Sequence, residues 1–244
     1  MALPPEAALQ PHIEYPDDDG LPMSDNTLQL RWIVTIYGNL AAMFRLDANV
    51  FVAGNLLWYP VEGQPTIRTA PDVMVVFGRP NVRRGSYKQW EEEGIAPQVV
   101  FEIVSPGNRP EDMDRKLELY DRYGVEEYYL YDPDELWLLG WRREGDRLQA
   151  LVPMHDRVSP RLGIRFDMSG EELVIHGPDG RRFLTFEELQ EQEEQARLLA
   201  EQERLARLQV QQRADQERQR ADQERQRAER LAERLRSLGI DPAE

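Results

Sequence analysis

Apolar positions at helical spacing open the patterned part of the chain. Leu30, Ile33, Val34, Tyr37, Leu40, Ala41 and Phe44 recur every three to four residues. This predicts an amphipathic helix running to about Leu46, with Ser24, Asp25 or Asn26 as its cap. The period then changes. Residues 50–59, 72–77 and 98–105 are short apolar runs of strand length. A second helix is predicted over residues 110–123. Pro110 suits a first helical position, Glu111 and Asp112 suit the positive helix end, and Gly124 follows as a stop. Residues 127–132, 136–142 and 147–152 read as strands, and 162–166, 173–176 and 182–184 as shorter β segments broken by Gly and Pro. From 186 to 238 the pattern is one long helix. The order is helix, three strands, helix, strands, long helix. It predicts an α/β fold with a mixed, α+β type of sheet. Three parts follow: an irregular Pro- and Asp-rich arm (1–24), a folded domain (25–186) and a charged helical tail (187–244).

The tail is low in complexity. QRADQER occurs twice in succession, at 212–218 and 219–225. Ala214, Ala221, Ala228 and Leu235 share one heptad position; Glu217, Glu224, Leu231 and Leu238 share the position three later. Only the last two heptads have an apolar seam, and Ala buries little area. Two readings stay open: a solvated helix held by Glu/Arg pairs, or a coiled coil that makes a homodimer. Gly239 and Pro242 predict the stop.

Composition narrows the chemistry. The 244 residues contain no Cys, which excludes disulfide scaffolds, Cys-ligated zinc and thiol catalysis. The three histidines, His12, His155 and His176, form no ligand-spaced pair. No apolar run reaches membrane-spanning length, and the opening residues lack the basic and apolar regions of a signal peptide; no membrane and a cytoplasmic location are the expectations. The net charge of −15 opposes loose, charge-driven coating of DNA, but leaves room for a small site that meets phosphate through a metal ion. Lys88 and Lys116 are the only two lysines against 28 arginines, so each raises the question of why Arg would not serve.

The main chemical signal is Glu102. It sits inside an apolar run, QVVFEIVS, of the kind buried on both faces. A buried carboxylate needs a cation or stays protonated. Asp72 opens the preceding strand. If the two strands pair antiparallel with Val76 opposite Gln98, Asp72 falls opposite Glu102, with Cβ atoms about 5 Å apart. Such like charges need something positive between them, and two carboxylates without histidine suit Mg²⁺ or Mn²⁺. On the wheel of the second helix, Lys116 falls within the apolar stripe of Met113, Leu117, Tyr120 and Tyr123, facing the sheet. The purely structural alternative is a buried Lys116–Glu102 or Lys116–Asp112 ion pair without catalysis.

The linked segments PDVMVVFG, FEIVSPGNR and KLELYDRYGVEEYYLYDP resemble the Uma family of restriction-endonuclease-like proteins, a branch of the PD-(D/E)XK nuclease superfamily. The resemblance runs from about Ile13 to Phe186. It implies a restriction-endonuclease-like core, with the long C-terminal helix also common among relatives. It implies a metal-dependent endonuclease with Asp72, Glu102 and Lys116 as catalytic residues. Asp72, Glu102 and the Ile103 carbonyl would hold Mg²⁺ or Mn²⁺, and the partner would be nucleic acid, with DNA first. Val104 stands where the superfamily usually has its lysine, and Lys116 is the matching substitute from the next helix. Arg109, and Arg83, Arg84 and Lys88 in the 78–97 loop, are the candidate nucleic-acid contacts; a solvated loop is the alternative for the latter three. Two further functions compete: an inert nuclease fold that recruits partners through its tail, and a hydrolase of small phosphoesters.

Overall fold

The computed structural model describes residues 13–18, 20 and 24–237. Much of the N-terminal arm, His12, Leu238 and the stop at Gly239 and Pro242 lie outside the described residues. In chain order the elements are α1 (Thr27–Met43), β1 (Val50–Gly54), β2 (Trp58–Tyr59), β3 (Val73–Phe77), β4 (Tyr87–Lys88), β5 (Val99–Ile103), α2 (Pro110–Tyr123), β6 (Glu127–Asp132), β7 (Trp137–Glu144), β8 (Arg147–Leu151), β9 (Arg157–Val158), β10 (Arg165–Asp167), β11 (Val174–His176) and α3 (Phe186–Ser237). The fold is a mixed α/β domain followed by a long C-terminal helix. No described helix is long and apolar enough to cross a membrane.

The central sheet has six strands in the order β1-β3-β5-β6-β7-β8. Neighbours are antiparallel except β5 and β6, which run parallel. Parallel neighbours need a crossover, and α2 provides it. Alternation along the strands fills two cores. Val75, Phe101, Ile103, Tyr129 and Tyr131 pack with α1 and the β9–β11 sheet. Met74, Val100, Tyr128 and Leu130 pack with α2 and residues of the β2–β4 ribbon. Both faces of β5 are therefore covered, as its uninterrupted apolar run requires.

Asn26 caps α1, accepting the Gln29 N–H at 2.8 Å. The buried residues of α1 are Gln29, Trp32, Ile33, Thr35, Ile36 and Leu40, a face rotated from the predicted one; Leu30, Val34 and Tyr37 are exposed. Packing between Trp32 and Tyr131, 4.8 Å between ring centroids, sets that rotation. The 50–59 run divides because the chain takes positive φ at Asn55 and its last part joins a different sheet. The 182–184 segment makes a single bridge, Arg182 to His176, and no strand. β4 and β9 were not predicted; two-residue strands leave no periodicity to read.

The described residues form two compact units that divide after Phe186. The second unit is α3, whose Leu198, Leu199, Leu205, Leu208, Val210 and Leu231 are about half exposed or more.

Candidate functional site

β3 and β5 pair with Val73 opposite Phe101 and Val75 opposite Val99, the register that sets Asp72 opposite Glu102. Asp72 precedes β3 by one residue and stays in phase with Met74 and Val76, on the α2 face of the sheet. Glu102 is 2% exposed and Asp72 7%. The last part arrives from α2. Lys116 Nζ donates to Glu102 Oε2 at 2.6 Å, and the Tyr120 hydroxyl, one helical turn on, donates to Glu102 Oε1. Asp112 does not pair with Lys116; it takes Arg115 and the Arg109 N–H instead. Asp72 Oδ2 accepts the Ile103 N–H at 2.7 Å. The Ile103 carbonyl accepts from Gln29 Nε2 at 3.0 Å.

The electrostatics show a deficit of positive charge. Burial and the neighbouring Glu102 push the Asp72 carboxyl from 3.8 up to about 8, although Lys116 and the Ile103 N–H oppose the shift. Burial pulls the Lys116 ammonium down, but Glu102 and Asp72 override it and hold it above its usual value. One ammonium thus serves two buried carboxylates. Glu127 makes the contrast. It is 1% exposed but accepts from Tyr129, the Ser159 hydroxyl and the Arg161 N–H, so neutral donors satisfy it.

A divalent cation would correct that deficit. Among the described residues no group of three His, Cys, Asp or Glu side chains is placed to hold a metal; what converges is a pair. Mg²⁺ commonly takes one or two carboxylates and keeps several waters, so the donor set suits it. Asp72 Oδ1 and the second lone pair of the Ile103 carbonyl are the remaining oxygens, and Lys116 holds Glu102 Oε2.

Sequence reasoning missed four groups here. Gln29 is not among the apolar positions of α1, yet its side chain ties the helix to the Ile103 carbonyl. Asp25 accepts from Ser105 Oγ at 2.5 Å and adds negative potential at Asp72. Tyr120 was read only as core, although its hydroxyl bonds Glu102. Tyr128 is fully buried, and its hydroxyl is the one buried side-chain polar atom among the described residues without a hydrogen-bond partner. A hydroxyl at an apolar stripe position was the available signal for Tyr120.

The proposed nucleic-acid contacts divide. Arg109 is exposed at the start of α2, one connection away from Glu102. Arg84 is engaged by Glu92 at 2.6 Å and lies 4.2 Å from the centre of the Phe51 ring. Arg84 first and then Arg79 hold the Glu92 carboxyl below its usual range. Lys88 pairs with Glu91 at 3.5 Å. Arg83 is exposed. The 78–97 loop is tied to the domain: β4 pairs with β2, and Trp58 of β2 stacks on Tyr120, 6.2 Å between centroids. Its cations, Arg83 excepted, are spent holding that fold.

Comparison with known proteins identifies the family. Residues 3–175 match the model of the family Uma2, described as "Putative restriction endonuclease". The chain belongs to the Uma2 family. No curated protein matches the chain. Among solved structures it is similar to a crystal structure described as a "putative nuclease belonging to DUF820" from Anabaena variabilis ATCC 29413. That likeness has a TM-score of 0.41 and 15% identity, over 55% of this chain and 72% of that one. The Uma2 match spans the strands and helix that carry Asp72, Glu102 and Lys116, and ends before α3.

Proposed function

We propose that this chain hydrolyses phosphodiester bonds in nucleic acid with Mg²⁺ or Mn²⁺, at the Asp72–Glu102–Lys116 site. The observation that supports it is two adjacent buried carboxylates served by one ammonium; burial first, and then Glu102, push the Asp72 carboxyl up to about 8. Asp72 and Glu102 would hold the ion, with the Ile103 carbonyl and water completing its shell. When bound, the ion supplies Lewis acidity and a water of lowered pKa. The chain's own residues do the rest. Tyr120 fixes one oxygen of Glu102 and so its rotamer. Lys116, released from Glu102 Oε2, turns its ammonium to a phosphate oxygen and offsets the charge that builds there. A compact ammonium suits this role better than a planar guanidinium, which fits the retention of a rare lysine. Arg109 contacts a flanking phosphate. DNA is the first substrate to test. The tail would bring two copies together as a coiled coil.

One observation favours the inert, partner-recruiting alternative: both oxygens of Glu102 are already satisfied, by Lys116 and Tyr120. Calorimetric titration of Mg²⁺ and Mn²⁺ separates the readings. Wild-type protein binds the ion and Glu102→Gln loses at least about tenfold in affinity, with cleavage falling about a hundredfold or more. A wild type that binds neither ion and cleaves neither DNA nor RNA would leave the inert reading standing. Turnover of nucleotides but not polymers would point to the small phosphoesters.

A further inference from the structure

α2 presents two adjacent stripes to the molecule. Lys116 and Tyr120 face Glu102. Met113 and Leu117, also one turn apart, face a separate cavity of about 350 Å³. The connection that leaves β5 after Glu102 and Ile103 supplies the near wall through Val104 and Arg109. β6 and β7 supply the far wall through Tyr128, Trp137 and Trp141. The cavity therefore lies beside the carboxylate site, across one helix.

Its chemistry is specific. Tyr128 and Trp141 stack at 4.9 Å with their planes 15° apart, giving a flat aromatic wall. Leu139, at the cavity, is 44% exposed, an apolar surface left in water. Asp132, a residue 8% exposed, also lines the cavity. Its Oδ1 accepts the N–H groups of Asp134 and Glu135, while Oδ2 is free of such bonds among the described residues. Arg109 brings a cation to the same space. An aromatic wall, a carboxylate oxygen with free acceptor capacity and an arginine match a flat heterocycle with a hydrogen-bonding edge and a phosphate attached.

We infer that this cavity takes one unpaired nucleobase of the substrate strand, next to the phosphate addressed by Asp72, Glu102 and Lys116. The inference rests on the nuclease reading above. Its volume is in the range of small-ligand pockets, about 300–1,000 Å³. A base inside a duplex cannot enter a pocket without leaving its stack. The preferred substrate is therefore a single strand, or a duplex already opened at that base. A base with an exocyclic amine suits the Asp132 carboxylate.

The test is binding of a short fluorescein-labelled oligonucleotide to the full chain in EDTA, read by anisotropy. The same sequence is offered as a single strand and as a fully paired hairpin. The single strand binds at least about fivefold more tightly, and Trp137→Leu and Trp141→Leu each weaken it at least about fivefold, the effect of one lost base–aromatic stack. Thermal unfolding checks each variant. Leu139→Glu, which places a charge at the cavity without emptying the core, replaces any that fails to fold. Equal affinity for paired and unpaired forms, or unchanged single-strand binding in the folded variants, overturns the inference. The two readings fail separately. If strands bind with this preference but nothing is cleaved with Mg²⁺ or Mn²⁺, the cavity stands and the nuclease assignment falls. If cleavage ignores pairing, the cavity assignment falls alone.

Discussion

At the scale of residues, the decisive quantity is the charge balance at Asp72. The folded state holds a proton on Asp72 up to about pH 8, whereas the unfolded chain releases it near 3.8. The native state therefore binds more protons between those values, and stability falls as pH rises through that window. The contribution of Asp72 is complete below about pH 4 and gone above about pH 8. Asp72→Asn keeps the site neutral at every pH. We expect its unfolding free energy in EDTA, from denaturant titration, to gain on the wild type as pH rises from 5 to 9, by a few kcal/mol in all. A constant difference across that range would remove the charge deficit as an account of the site. Tyr128 carries a second residue-scale cost. A buried hydroxyl without a partner costs about 1–3 kcal/mol. Tyr128→Phe should stabilise the metal-free, strand-free protein by about 1 kcal/mol, seen as a midpoint shifted up by a few degrees at most. Glu102 itself was legible in the sequence, because a lone acid inside a doubly apolar strand is an anomaly at any register. Gln29, Asp25 and Tyr128 were not: each is ordinary in its own segment and matters only through what it meets across the fold.

At the scale of elements, α2 was the most readable. Its Pro110, its acidic first turn and Gly124 mark both ends, and Gly124 sits at φ 97°, a conformation that costs other residues. α1 was placed correctly along the chain but rotated wrongly about its axis. Its sequence offers two apolar stripes, and the wheel cannot say which one the sheet will cover. The polar Gln29 belongs to the buried stripe because the Ile103 carbonyl needs a donor. The cap of α1 is local physics and gives a local test. Asn26→Ala removes the acceptor for the Gln29 N–H and should cost about 1 kcal/mol in denaturant unfolding. It should also loosen Gln29, so metal affinity should fall with it; stability loss without any change in metal binding would separate the helix from the site. The 78–97 loop shows the opposite limit. Its arginines looked like phosphate ligands by composition, but Arg79 and Arg84 clamp Glu92, and no window of sequence predicts that pairing.

At the scale of the whole molecule, two units of different character share one chain. The first has two buried cores on either side of one sheet. The second, α3, is exposed along its length, with pairs such as Arg225–Glu229 at 3.2 Å that add only a few tenths of a kcal/mol each. A helix of this kind gains stability by burying its apolar positions against a copy of itself, the basis for the proposed dimer. Sedimentation of the full chain should give a concentration-dependent dimer, and Leu231→Asp should shift it to monomer. An unchanged monomer at high concentration would assign α3 to solvent.

The sequence by itself determined the order of the longer elements, the period of each of those, the two-sided burial of β5 and the need of Glu102 for a cation. These are one-dimensional quantities, set by spacing and by the cost of burying charge. The tertiary structure alone decided which stripe of α1 is covered, that Lys116 and Tyr120 divide the two oxygens of Glu102, and that a cavity opens across α2 from them. Those depend on relative rotation and approach of elements distant in the chain, and packing many side chains at once selects them; no local preference does.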